Sequence, residues 1–204
     1  MTTERISFPS GDLTLDGLYQ PGAAGRGAVV THPHPLYGGD MDNPVVESLA
    51  EVYHRAGWAT LRFNFRGVGR STGQFDDGRG ETIDLAAAMT WLAAQENDRI
   101  GLAGYSFGAW VMAHLSDPPV AVDHMIMISP PVAFMDFSAV ESLPALSLAV
   151  TGRLDTYGPP DLVKSHLARW NPACRYHEMP MADHFYWGQF DALADVVRHF
   201  LSGQ

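Results

Sequence analysis

"RIGLAGYSFGAWVMAHL", Arg99 to Leu115, reads as an apolar strand, a serine between two glycines, and an apolar helix. The serine motif is Gly104-Tyr105-Ser106-Phe107-Gly108. A G-x-S-x-G pattern alone arises by chance, but between a strand and a helix it has a physical meaning. A side chain held up on so sharp a turn forces its own backbone into an unfavourable conformation. The positions two before and two after then lie where neighbouring backbone leaves no room for a side chain. The helix that follows points its first N–H groups back at the turn and favours negative charge there. Ser106 is therefore a candidate nucleophile.

The same alternation extends in both directions from this turn. Upstream, "RISFPS" and "LTLDGLYQ" form two short strands around the turn Ser10-Gly11-Asp12. "AVVTH" is a buried strand. In "NPVVESLAEVYHRAG", Asn43 is placed to cap a helix, Pro44 fits its first position, and Gly57 ends it. "WATLRFNF" is a strand, and "ETIDLAAAMTWLAAQEN" a helix with Ile83, Ala87, Trp91 and Ala94 on one side. Downstream, "HMIMIS" and "ALSLAV" are strands, "PPDLVKSHLARW" a helix, "CRYHEMP" a strand and "GQFDALADVVRHFL" a closing helix. Strands alternating with helices predict an α/β fold: a mostly parallel sheet with an antiparallel N-terminal edge and helices on both faces. No linker or repeat interrupts the pattern, so residues 1–204 are expected to form one domain.

Bulk composition narrows the function. The chain of 204 residues is 46% hydrophobic, enough for one sizeable core. Its formal charge is -10, from 13 basic and 23 acidic residues, with no Lys/Arg cluster, which argues against nucleic acid and anionic membrane surfaces as partners. One cysteine, Cys174, allows no internal disulfide and fits a reducing compartment; it reads as a small strand residue. The start "MTTERISFPSGDLTLDG" lacks a secretory pattern, and no apolar run is long enough to span a bilayer. A soluble cytoplasmic protein is expected.

In a parallel sheet the loops after the strands carry the chemistry. A serine hydroxyl needs a base, and the base needs an orienting group. Of the nine histidines, His54, His114, His166 and His199 fall inside helices, His124 starts a strand at the opposite edge, and His177 is mid-strand. His184, in "MADHFYWG" after the last strand, can be carried over Ser106. For the orienting acid Asp155, in "TGRLDTYGPP", is the first choice and Asp136 its competitor. Asp183 adjoins His184 and should point away, and Asp161 belongs to a helix start. His32 and His34, in "THPHPLYGGD", suggest a metal pair, but only Asp40 and Asp42 lie near, and Asp42-Asn43-Pro44 is better explained as a helix start. His32 is expected to bond backbone, and no metal is expected. "RGVGRS", Arg66 to Ser71, lacks the lysine of a phosphate-binding loop, so no nucleotide or other cofactor is expected; Arg66 should tie this loop down.

The chain order Ser106, Asp155, His184, with the serine on a strand-turn-helix, resembles the α/β-hydrolase superfamily over nearly the whole chain. "FNFRGVGRSTG", Phe63 to Gly73, is similar to that superfamily's loop after the strand preceding the serine turn, and "HPHPLYGG" to small bacterial members near the dienelactone-hydrolase-like group. Two departures stand out: dienelactone hydrolases proper carry Cys where this chain has Ser106, and many relatives carry His-Gly where it has His32-Pro33. The resemblance implies a Ser-His-Asp hydrolase acting through an acyl-enzyme. It also implies an oxyanion hole of two backbone N–H groups. One is that of Phe107. The other lies in the turn after "AVVTH", where Pro33 and Pro35 cannot donate, leaving His34 first and Leu36 in reserve.

Between the strands "HMIMIS" and "ALSLAV" only residues 130–144 are available, too few for a multi-helix cap. An open site follows, with Phe134, Met135, Phe137, Tyr37, Tyr186 and Trp187 as candidate lining beside Phe107. Such a site suits small or short-chain carboxylic esters, a small-molecule substrate. Thioesterase or peptidase activity would use the same parts, and a non-catalytic ligand-binding member of the fold is the alternative of a different class.

Overall fold

The computed structural model describes residues 3–23 and 25–203. Eight strands form one sheet: β1 (Glu4–Ser10), β2 (Leu13–Gln20), β3 (Arg26–Thr31), β4 (Ala59–Phe63), β5 (Arg99–Tyr105), β6 (Val122–Ile128), β7 (Leu146–Gly152) and β8 (Arg175–Met179). Their order is β1-β2-β4-β3-β5-β6-β7-β8. The first two strands and the β2–β4 pair are antiparallel, and all pairs from β4 to β8 are parallel. The helices are α1 (Pro44–Arg55), α2 (Arg79–Ala93), α3 (Phe107–Ala113), α4 (Pro160–Trp170) and α5 (Phe190–Ser202). Each parallel pair needs a crossover; α1, α2, α3 and α4 supply all but that from β6 to β7, which runs through the turns of residues 129–145, and the helices cover the strands' apolar faces.

Two buried clusters, one on each face, divide the core. α1 and α5 cover one face through Val46, Leu49, Tyr53, Leu193 and Val197 against Val30, Ala103 and Ile128. α2, α3 and α4 cover the other through Leu85, Met89, Met112 and Leu167 against Leu61, Leu102 and Met127. Alternating residues of one central strand thus feed opposite cores, which explains why those strands read as unbroken apolar runs. α1 starts as its sequence directs, with the Asn43 side chain accepting from Val45 N–H at 3.0 Å and Pro44 at the first position.

The buried side of α2 is rotated from the expected stripe. Ile83 is 56% exposed, while the helix presents Glu81, Asp84, Leu85, Ala88, Met89 and Leu92 inward. Two of these are carboxylates, so a purely apolar pattern misplaces the face. Asp84 accepts from Ser10 Oγ (2.7 Å) and from Arg66 N–H, Nε and Nη2 (3.0, 3.0 and 2.8 Å). Arg66 is thereby fixed as expected, and its loop carries Phe75 against His34 and Phe107 at the sheet's C-terminal edge. Among the described residues no helix is long and apolar enough to cross a membrane. Residues 129–145, between β6 and β7, form turns and add no cap domain.

Candidate active site

Ser106 occupies the turn between β5 and α3 with φ 54° and ψ −115°, a region costly for any residue with a Cβ. The flanking glycines are sterically required. A Cβ on Gly104 would lie 2.7 Å from the Gly108 carbonyl carbon, and one on Gly108 would lie 2.6 Å from the Thr31 carbonyl oxygen. The Ser106 N–H is anchored to Ile128 C=O at 2.9 Å, which sets the turn against β6.

His184 reaches the serine from the loop after β8, with Nε2 2.9 Å from Ser106 Oγ. Its Nδ1 lies 3.0 Å from both carboxylate oxygens of Asp155, in the loop after β7. All three side chains are buried. Asp155 also accepts from the N–H groups of Tyr157 (2.9 Å) and Gly158 (2.8 Å). Burial opposes its ionisation, but the hydrogen bond and charge of His184, together with Ser129 and the Gly158 N–H, hold the carboxyl below its ordinary range. An ionised Asp155 only accepts, so Nδ1 of His184 carries the proton and Nε2 is free to accept from the serine hydroxyl. Asp136 is exposed and caps Ser138, and Asp183 accepts from Phe185 and Tyr186 N–H, so neither approaches His184 Nδ1.

The set is held from behind by Tyr105 and Ser129, for which the sequence suggested no role, and by Tyr186, expected in the cleft lining. Tyr105 donates its hydroxyl to the His184 carbonyl at 2.8 Å. Tyr186 is fully buried with φ 58°, and its hydroxyl meets Ser129 Oγ at 2.7 Å; Ser129 also has positive φ, 47°. Non-glycine residues at positive φ cost free energy and cluster where a loop must aim a side chain. Here the two are bonded to each other, and Ser129 also reaches the Asp155 carboxylate. The only sequence signal for them was adjacency to the site: Tyr105 precedes Ser106, and Tyr186 follows His184 by two.

The "HPHP" turn has an unambiguous hydrogen-bond pattern. His32 is fully buried, with Nδ1 2.6 Å from Pro33 C=O and Nε2 3.0 Å from Phe65 N–H. A carbonyl only accepts and an amide N–H only donates, so His32 is neutral with its proton on Nδ1. It bonds backbone, as expected. The Pro33 C=O and the His34 N–H belong to one trans peptide and point in opposite directions, so holding the carbonyl also fixes the N–H. The Leu36 N–H is taken by His34 Nδ1 at 3.2 Å. Among the described residues, neither the His34 N–H nor the Phe107 N–H has an acceptor.

Burial pushes the His32 pKa down to about 4. The unfolded chain therefore takes up this proton first as pH falls from the ordinary value near 6.5. His32 contributes nothing to pH dependence above that value and withdraws about 3 kcal/mol of stability by pH 4. Histidine NMR should find the neutral Nδ1–H tautomer of His32 at pH 5 and a titration midpoint near 4; a midpoint at or above 6 would contradict this arrangement.

A cleft of ≈ 460 Å³ opens directly above Ser106. Of the expected lining, Tyr37, Phe107, Phe134 and Met135 are present, with His34 and His184. Three expected residues are not. Phe137 is buried in the core, its ring 5.1 Å from Trp170, because its loop turns inward beneath α4. Tyr186 packs behind the site as described. Trp187 points into solvent against Phe190, beyond the cleft mouth. In their place the cleft gains Tyr157, Phe185, Tyr105 and Pro131.

A parallel sheet with an antiparallel N-terminal edge, a strained serine after its central β5, and no domain over the mouth define a cap-less member of the α/β-hydrolase superfamily. Comparison with known proteins agrees and refines this. A family model described as X-Pro dipeptidyl-peptidase (S15 family) matches residues 15–159, and the chain belongs to that family. The matched stretch contains Ser106 and Asp155 and ends before His184. The structure is similar to an alpha-beta serine hydrolase homologue from Coxiella burnetii, 33% identical, covering 98% of each chain with a TM-score of 0.88. It is also similar to a serine hydrolase without lid from Xanthomonas campestris, 32% identical, covering 98% of this chain and 95% of that one with a TM-score of 0.85. An uncharacterized protein of Rickettsia prowazekii is 33% identical, over 97% of this chain and 88% of its own length.

Proposed function

We propose that this protein is a serine hydrolase that cleaves small or short-chain carboxylic esters through an acyl-enzyme. The observation that carries this reading is the continuous hydrogen-bonded series Asp155–His184–Ser106 at the floor of an open cleft. Ser106 Oγ attacks the ester carbonyl while His184 Nε2 takes its proton. The carbonyl oxygen becomes an oxyanion, and Asp155 stabilises the imidazolium without taking the proton itself. The C–O bond to the alcohol breaks as His184 returns the proton to the leaving oxygen. Water then attacks the acyl-enzyme with His184 as base again, releasing the carboxylic acid and restoring the Ser106 hydroxyl.

The N–H groups of Phe107 and His34 are assigned to the oxyanion. Both belong to residues lining the cleft, both lack acceptors among the described residues, and the latter's peptide is held by His32. Leu36 is set aside because its N–H is already engaged. Each such donor supports about 10²–10³ in rate.

The family description favours a second reading, release of a dipeptide from a peptide's N terminus. That reaction brings an α-ammonium into the site, and a desolvated ammonium needs a carboxylate partner. Among the described residues no Asp or Glu lines the cleft. The ester reading accordingly ranks first.

A p-nitrophenyl ester series from acetate to laurate, with an alanyl-proline p-nitroanilide beside it, tests the assignment. The expected result is the highest kcat/KM at acetate to butyrate and little or no anilide cleavage. A laurate optimum, or anilide turnover exceeding ester turnover, would overturn it.

A further inference from the structure

Six aromatic side chains form a closed series around the nucleophile. His184, bonded to Ser106, meets Tyr157 at 4.7 Å between ring centroids; Tyr157 meets Phe134 at 5.5 Å, and Phe134 meets Tyr37 at 6.0 Å. Tyr37 meets His34 at 4.8 Å, and His34 meets Phe107, the residue after Ser106, at 4.8 Å. All six line the cleft. The contacts through Phe134 are edge-to-face, with interplanar angles of 77° and 64°. Core aromatics are covered on all sides, yet here Tyr37 is 74% exposed, Phe134 51% and Tyr157 37%. Their free faces and edges are directed at a cleft whose lining carries no carboxylate, ammonium or guanidinium among the described residues.

We infer that the cleft selects uncharged esters carrying an aromatic ring a few carbons from the ester carbonyl, the ring extending the edge-to-face series of Tyr37, Phe134 and Tyr157. This rests on the reading of Ser106 as the nucleophile of an ester hydrolase. The physical basis is twofold. An aryl ring set against the edge or face of another gains quadrupole attraction that a saturated ring of similar size does not, a factor of about 2–10 in binding. A charged substituent entering the cleft loses its water and finds no counter-charge, a cost that attraction to the ring faces offsets only in part even for a cation, and this opposes entry.

Three methyl esters separate these effects: 3-phenylpropionate, 3-cyclohexylpropionate and L-phenylalanine methyl ester. The first two have equally reactive carbonyls and differ in the ring alone. The third is the first with an α-ammonium added; all are assayed at pH 6, where that amine is protonated, and its kcat/KM is divided by its rate of uncatalysed hydroxide hydrolysis relative to phenylpropionate, which removes the activation of the carbonyl by the ammonium. Expected is a phenyl-to-cyclohexyl ratio of kcat/KM of about 3–10, with the phenylalanine ester at least about tenfold below phenylpropionate. In Phe134→Leu and Tyr157→Leu the phenyl-to-cyclohexyl ratio should fall toward one. Because the ratio compares two substrates on the same enzyme, partial unfolding of a variant cancels. A wild-type ratio near one, a ratio unchanged in both variants, or a phenylalanine ester turned over as fast as phenylpropionate would each overturn the inference. p-Nitrophenyl acetate serves as the control: turnover of it with a ratio near one sinks the inference alone, whereas no turnover of any ester sinks the hydrolase reading as well.

Discussion

Ser106→Ala is expected to lower kcat for p-nitrophenyl acetate by about 10⁵–10⁶-fold, the loss typical of removing the nucleophile of such a set. Stability should change little, because alanine keeps the Cβ and therefore the strain at φ 54° and ψ −115°. Ser106→Gly supplies the contrast. Glycine adopts that conformation without steric cost, and non-glycine residues there pay about 1–3 kcal/mol, partly recovered from glycine's larger unfolded-state entropy. The glycine variant should be as inactive as alanine and about 1 kcal/mol more stable by urea unfolding. That combination, activity lost and stability gained at one position, is the signature of a conformation kept for chemistry. Retention of a tenth of wild-type kcat by either variant would contradict the role assigned to the serine.

Asp155→Asn is expected to cost about 10⁴-fold in kcat with KM nearly unchanged. The carboxylate accepts from Nδ1–H of His184 and so leaves Nε2 bare toward Ser106. An asparagine turned to present its NH₂ to Nδ1 would favour the opposite tautomer, whose Nε2–H cannot accept the serine proton. Asp136→Asn should leave kcat within a factor of about two, since that side chain is exposed and occupied with Ser138. Stopped-flow or steady-state kinetics on the pair decides between the two acids. Equal losses in both, or the larger loss at Asp136, would contradict the geometry.

Local patterns carried the strand–helix order because nearly every element is bounded by its own signals. Asn43-Pro44 opens α1, and the glycines around Ser106 divide β5 from α3. The site followed from the fold: once strands run parallel, the residues just past their ends must converge, and Ser106, Asp155 and His184 sit there. The pattern failed where burial and polarity part company. α2 turns Asp84 inward because Arg66 and Ser10, from segments far off in the chain, satisfy it, and Glu81 inward because the N–H groups of Asp76 and Gly78 at the helix's own start do. The cleft lining failed for a similar reason. Phe137 and Phe134 lie three residues apart in one loop, yet one packs on Trp170 while the other faces the cleft. That division depends on α4, whose Arg169 bonds the Phe137 and Val140 carbonyls and draws that half of the loop down. Tyr157 and Phe185 were passed over although each neighbours a site residue. Loop positions have no periodicity from which facing can be read.

The role of His32 shows what an early motif can and cannot tell. Two histidines one residue apart invite a metal reading, but the positions of prolines 33 and 35 pointed to the backbone, and the His32 contacts to Pro33 C=O and Phe65 N–H show how that backbone is held.

The account turns on Ser106 being an activated nucleophile, and labelling with a fluorophosphonate followed by intact-mass and peptide analysis tests this most directly. Folded protein is predicted to gain one adduct, located on Ser106, absent from Ser106→Ala and strongly reduced in His184→Ala. Folded wild-type protein that takes up no label, or that takes it up at another residue, would contradict the account.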